Sequence, residues 1–216
     1  MILCGKEEER TGDLPLRADL YLKQVDLSRY WPADAPVSFR ECISGTGKIK
    51  ACLEGCSFLS SGRLQAFKLA LASDDYLPSI PLLTVPQPTD PGLVPVNEPD
   101  EDAPVLVTGN NVHTFEVLMA VWSLGITPAY FLLVDTLGNT VDMAMIYGEF
   151  RPGKLAESVS AAGLEKRVSH RRLLVPGLTS PLSEKFAEVT GWEVEVGPVC
   201  AVELPLFLGD RWRFQD

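Results

Sequence analysis

Three cysteines, Cys42, Cys52 and Cys56, sit close enough in sequence to share a metal. Their C-x9-C-x3-C spacing has no fourth thiol nearby, so buried or incidental thiols are expected ahead of an iron-sulfur cluster. With five cysteines in all and no export signal, reduced thiols or metal ligands are expected before disulfides. The two histidines, His113 and His170, are too few for a histidine-based zinc site or a nucleophile-base-acid triad. A second group of residues can recognise a ligand without reacting with it. Thr108, Gly109, Asn110 and Asn111, then Thr136 and Gly138, then Pro176 and Gly177, then Gly197 and Pro198 each follow an apolar run. Glycine there lets backbone N–H groups approach a ligand, and Gly148 offers the same freedom further on.

The elements that must position these residues alternate between strand and helix. Residues 105–108 read as a short buried strand, 109–111 as a turn, 113–124 as a helix and 129–134 as a strand. Residues 136–139, Thr-Leu-Gly-Asn, have the composition of a tight turn. Residues 140–146 are expected to re-enter as a second strand, forming a hairpin with 129–134. A helix over 154–162, a strand over 172–175, a helix over 183–190, a strand over 193–196 and a last short helix over 202–208 complete the series. Five strands with intervening helices predict an open, mostly parallel, Rossmann-like α/β sheet, with its ligand crevice outside the carboxyl ends of the strands.

The first half of the chain reads differently. A short helix is expected over residues 21–30 and an amphipathic helix over 62–74, with Leu64, Phe67, Ala70 and Leu71 at helical spacing. Between 78 and 104 eight prolines accumulate, which forbids a helix or a central strand and predicts an extended acidic linker. The expected organisation is a small, mainly helical, loop-rich cysteine module over 1–77, a linker over 78–103 and an α/β domain over 104–216.

Composition narrows the function. A formal net charge of -10 argues against a nucleic-acid backbone as partner. The apolar stretch from Val117 to Val134 is broken by Ser123, Gly125 and Pro128, so no membrane span is expected, and the chain is read as cytoplasmic. No G-x-G-x-x-G, P-loop or G-x-S-x-G pattern occurs, which removes the fingerprints of dinucleotide binding, P-loop nucleotide binding and the hydrolase elbow.

The order of short motifs resembles the corrinoid-binding, carboxyl-terminal domain of the corrinoid/iron-sulfur protein large subunit, the acetyl-CoA decarbonylase/synthase gamma subunit family. Val107-Thr108-Gly109-Asn110 and Val134-Asp135-Thr136-Leu137-Gly138 carry it, with Tyr147-Gly148-Glu149-Phe150 following. So do the runs from Val168 to Gly177 and from Gly191 to Pro198, and the closing Leu204-Pro205-Leu206-Phe207-Leu208. The amino-terminal module more faintly echoes the family's small iron-sulfur domain, and the proline-rich linker stands where the family has a TIM barrel.

The resemblance implies a corrinoid (cobalamin) over the strand-end loops, with Met143, Ala144, Tyr147 and Gly148 as its floor. Asn110 and Asn111 would suit the amides at the corrin rim. His170 and Arg171 either pair with the acidic surface or contact corrinoid amides and the nucleotide-loop phosphate. In this family cobalt has no histidine beneath it, and the D-x-H-x-x-G pattern of histidine-ligated modules is absent here too. Met143 stands where the methyl carriers have threonine and the related mercury-methylating proteins cysteine, so ligand binding is expected ahead of catalytic competence. The implied role is a methyl carrier or accessory protein in one-carbon metabolism of an anaerobe, with a methyltransferase or corrinoid-protein subunit as partner. The alternatives are an interaction module that keeps the fold without the corrinoid, and a corrinoid methyltransferase in its own right.

Overall fold

The structure is a computed structural model, and it describes residues 6–7, 27–39, 41, 53, 56–80 and 85–214. Its centre is a five-stranded sheet: β3 (Gly92–Val96), β4 (Val105–Gly109), β5 (Ala129–Val134), β6 (Arg172–Val175) and β7 (Glu193–Val196), in the order β3-β5-β4-β6-β7. A two-residue parallel pairing of β1 (Lys6–Glu7) with β2 (Ser79–Ile80) lies outside it. β4 and β5 are buried at every residue, as their unbroken apolar runs require of central parallel strands. The α/β class and the open, mostly parallel sheet therefore match the sequence reading.

Two of its parts do not. Residues 140–146 form no strand: α4 spans Val141–Ile146, with Thr140 at its N-cap position. Met143, Ala144 and Met145 favour a helix, and Asp142 in the first turn complements the helix dipole. The fifth strand comes instead from the proline-rich segment, where β3 pairs antiparallel with β5 from Gly92↔Leu133 to Val96↔Ala129. Proline is tolerated there because β3 is an edge strand.

The crossovers place helices on both faces. α3 (Val112–Trp122) joins β4 to β5 on the face of Leu106, Phe131 and Leu174, where Trp122 meets Phe131 and Trp212 edge-on at centroid distances of 5.0 and 4.8 Å. α4, α5 (Pro152–Ala161) and α6 (Ser183–Thr190) cover the opposite face with Val107, Leu132, Val134, Leu173 and Val175. The chain leaves β4 toward one face and β6 toward the other, so the topological switch point lies between these two strands.

The amino-terminal module rests on the carboxyl-terminal helix. α1 (Ser61–Leu71), capped by the Ser60 hydroxyl, buries Ala66, Phe67 and Ala70 with Leu27, Phe39, Leu53 and Leu59. Leu206 of α7 (Leu204–Leu208) joins that cluster. The expected helix over 62–74 is thus present, ending at Leu71 and followed by the short α2 (Ser73–Tyr76). Of the expected helix over 21–30, Leu27–Tyr30 is a 3-10 turn and residues 21–26 lie outside the described residues. Cys42 and Cys52 also lie outside them; Cys56 is a half-buried free thiol, whereas Cys200 is disulfide-bonded, contrary to the expectation of reduced thiols or metal ligands before disulfides.

Candidate functional site

The carboxyl end of the sheet is assembled from four loops, two of them locked by a pair of buried asparagines. Asn110 accepts through Oδ1 from the Thr136 N–H at 2.8 Å, the Thr136 hydroxyl at 3.2 Å and the Gly138 N–H at 3.2 Å. Its Nδ2 donates to the Thr89 carbonyl at 2.9 Å. Asn111 caps α3 by accepting from the Thr114 N–H at 3.0 Å, and its Nδ2 donates to the Gly138 carbonyl at 2.7 Å. Both side chains are buried, and their amides serve the protein's own turn. Close approach explains the glycine at 109: a Cβ there would stand 2.8 Å from the Thr136 hydroxyl. Thr108 is buried too, its hydroxyl without a protein partner.

The loops after β6 and β7 also meet. Gly177 donates to the Pro198 carbonyl at 3.0 Å, and a Cβ on Gly177 would lie 2.8 Å from the Gly197 carbonyl oxygen. Sequence reasoning thus placed Thr108, Gly109, Asn110, Asn111, Thr136, Gly138, Pro176, Gly177, Gly197 and Pro198 at one end of the sheet, and the structure brings them there. They pack against one another as a foundation.

α4 lies over that foundation, packed against β4 and against the 3-10 segment Gly177–Leu182. Val141 and Ala144 point inward and are fully buried beside Val107, Val134 and Val175. Met143, Ile146 and Tyr147, spaced i, i+3 and i+4, share the outward face. Ile146 is 72% exposed and Tyr147 59%, and Leu137, in the turn before the helix, is 55% exposed. Gly148 follows at φ +66 with open space where a side chain would stand. Lys154 braces the helix from below, donating to the Asp135 carbonyl at 2.9 Å and reaching Glu149 at 3.4 Å. Phe150 anchors the exit against Phe186 at a centroid distance of 5.9 Å.

A short helix with apolar residues on both faces is unusual at a surface, because the outer residues gain nothing from solvent. Sequence reasoning reached Met143, Ala144, Tyr147 and Gly148 but missed Leu137, Ile146 and the bracing Lys154. It took the apolar run Thr140–Ile146 after the turn as a returning strand, although Thr140 followed by Asp142 was a helix-start signal.

His170 and Arg171 do not belong to this group. They precede β6 and stand at the amino ends of the parallel strands, the opposite end of the sheet from α4. His170 Nε2 lies 3.0 Å from the Ala103 carbonyl oxygen, and the Arg172 N–H lies 3.2 Å from its Nδ1. Arg171 pairs with Glu165 at 3.1 Å. A cavity of about 370 Å³ opens there, with Asp102, His170, Arg172, Glu195, Arg211 and Arg213 in its walls. His113 lies on α3, across the sheet from α4. Among the described residues no cluster of three or more His, Cys, Asp or Glu side chains is arranged to hold a metal ion, and no helix is long and apolar enough to cross a membrane.

Comparison with known proteins places this arrangement among relatives. Residues 71–208 match the family model described as CO dehydrogenase/acetyl-CoA synthase delta subunit. The acetyl-CoA decarbonylase/synthase complex subunit gamma of Methanothermobacter thermautotrophicus is 31% identical over 150 residues, covering 65% of this chain and 33% of the relative. The subunit of the same name from Methanopyrus kandleri is 33% identical over 123 residues, 57% of this chain and 27% of the relative. The corrinoid/iron-sulfur protein large subunit of Moorella thermoacetica is 35% identical over 99 residues, 46% of this chain and 22% of the relative. The chain spans a third or less of the length of these relatives.

Proposed function

The chain belongs to the CO dehydrogenase/acetyl-CoA synthase delta subunit family, and on that basis we propose that it binds a corrinoid on the outer face of α4 as a carrier or accessory protein in one-carbon methyl transfer. The observation that carries this reading is the apolar outer face of α4 above the switch point of the sheet, where Ile146 and Tyr147 are exposed and Met143 is half-buried. A flat macrocycle needs such a platform: apolar area to cover, backbone without side chains at one edge, and a rigid support. Gly148 supplies the edge, and Asn110, Asn111 and Lys154 supply the support.

The residues present fit the group. Met143, Tyr147 and Gly148 would hold it, with Leu137 and Ile146 widening the contact. A bound corrinoid supplies cobalt that accepts and hands on a methyl group. The thioether of Met143 would be a soft, weakly coordinating neighbour of the group, and both histidines are remote from the face. The surrounding apolar side chains exclude water from the covered face. A methyltransferase or a corrinoid-protein subunit is the partner this role requires, and the relatives' names, as subunits of a complex, support one.

The test is direct. Purified protein mixed with hydroxocobalamin should co-elute with it on gel filtration and carry its visible spectrum. A colourless protein would overturn the carrier reading. It would favour the second one, a partner-binding module that keeps the fold alone, which draws on the internal use of the Asn110 and Asn111 amides.

A further inference from the structure

The segment just before β3 does more than connect. Gln87 donates its N–H to the Gly138 carbonyl at 2.9 Å and accepts at its own carbonyl from the Val112 N–H at 2.9 Å. Thr89 donates to the Asn110 carbonyl at 2.8 Å and accepts from Asn110 Nδ2 at 2.9 Å. Between them Pro88 bridges Asn111 in antiparallel fashion, and it lies so close to Gly138 that a Cβ there would stand 2.4 Å from the Pro88 nitrogen. Residues 87–89 therefore lie across the loop after β4 and the turn after β5 as a strap.

We propose that this strap, through Asn110 and Asn111 as positioning residues, sets the placement of α4 and hence the affinity of its outer face for a corrinoid. The inference rests on the corrinoid reading for its consequence and on geometry alone for its cause. α4 itself is weakly held. It is six residues long and buries only the small side chains of Val141 and Ala144, and left-handed residues flank it: Leu137 and Gly138 before, Gly148 after. Such flanks absorb rotation readily. What fixes the entry is the Thr136–Asn139 turn: the Leu137 N–H donates to the adjoining Asp135 carboxylate at 2.9 Å, and among the described residues the turn's longer-range tethers run to Asn110, Asn111 or Gln87. The Gly138 carbonyl accepts from the strap and from Asn111 together, so strap and asparagine pair act on one atom.

The two asparagines can be separated by chemistry. Asn110→Asp keeps the acceptor for Thr136 and Gly138 but loses the donor to Thr89, removing the strap's one side-chain bond to Asn110 while leaving its backbone bonds and the turn's own bonds. Asn111→Asp keeps the cap on α3 but loses the donor to Gly138. Gln87→Pro removes the strap's N–H without altering any side chain of the turn, and it covers the case in which a buried Asp prevents folding.

Hydrogen exchange and hydroxocobalamin titration read the two halves of the inference separately. In Asn110→Asp and Gln87→Pro the amides of Asn139 and Ala144 should exchange at least about tenfold faster, although their own acceptors, Thr136 O and Thr140 O, are untouched. A purely local role would change only Thr89 and Val112, and in Asn110→Asp also Gln87, whose N–H that variant keeps. Exchange that stops at those amides overturns the coupling. Affinity for hydroxocobalamin should fall at least about tenfold in all three variants; wild-type affinity in the variants, or tighter binding, overturns the positioning role and in the latter case makes the strap an occluder. If the unaltered protein binds no hydroxocobalamin, the corrinoid reading and the affinity consequence fall together, and the exchange data decide the mechanical coupling alone.

Discussion

Arg29 in the amino-terminal module donates through its guanidinium to both carboxylate oxygens of Glu203, a side chain buried at the foot of the carboxyl-terminal helix, and the two residues are 174 positions apart. The Tyr30 hydroxyl donates to the same carboxylate at 3.1 Å. A buried carboxylate is tolerable only with such partners, so this contact fastens the module to the α/β unit.

Removing one partner should expose that dependence. Arg29→Ala is expected to cost about 2 kcal/mol, less than for a fully enclosed pair because water reaches the half-exposed guanidinium. Thermal denaturation should show a midpoint lower by about 4–8 °C. An unchanged midpoint would mean that the Arg29 ion pair is not what holds the module.

Alkaline pH should weaken the fold through two tyrosines. Burial, followed by the Glu203 carboxylate, pushes the Tyr30 hydroxyl well above its ordinary range, and burial does the same for Tyr76. Each is neutral in the folded state at pH values where the unfolded chain ionises. Their contribution is therefore complete below the ordinary tyrosine value of 10.0 and is lost progressively as pH rises above it. Urea denaturation at pH 9 and pH 11 should show the decline, and Tyr76→Phe should flatten it; an equal slope in that variant would assign the loss elsewhere.

The glycines on either side of α4 should respond differently. Gly138→Ala forces a Cβ to 2.4 Å from the Pro88 nitrogen at φ +75, and a loss of about 3 kcal/mol or more is expected. Gly148→Ala at φ +66 meets open space and should cost only about 1 kcal/mol. Chemical denaturation of the two variants side by side checks the ranking.

The outer face of α4 can be altered with little effect on folding. Ile146→Ser should leave the melting temperature within about 2 °C, since the side chain is mostly in water, yet weaken hydroxocobalamin binding about tenfold. Met143→Thr should change the visible spectrum or the reduction potential of the bound corrinoid, and identity in both would remove Met143 from the site.

Much of this molecule was legible in its sequence because the signals were local. The apolar runs of β4 and β5 can only be central strands, and Gly163 and Gly191 end their helical stretches in left-handed conformations. The four loops at the carboxyl end followed from strand polarity alone. What escaped depended on partners distant in sequence. Thr140–Ile146 is apolar enough after a turn to pass for a strand until Thr140 is seen as a helix start, and nothing local reveals that Val141 and Ala144 share a buried core with Val107 and Val175. Asn110 and Asn111 read as ligand-facing amides because their true acceptors, Thr89 O and Gly138 O, lie 21 and 27 residues away. His170 shared a motif with the strand-end residues, but it stands before β6, and strand direction sends it to the far end of the sheet.

The proline-rich stretch has one more effect, which concerns what the sheet does in the company of other molecules. An open sheet ends in a row of unused backbone groups that can recruit a strand from a neighbouring chain. Here the border beyond β5 is β3, and its fourth residue is Pro95, which has no N–H to offer and cannot complete a ladder with a newcomer. The same residue type that disguised this strand as a connector makes it a poor template for intermolecular pairing. Pro95→Thr should leave the isolated fold intact and raise its tendency to aggregate on concentration, as light scattering would record.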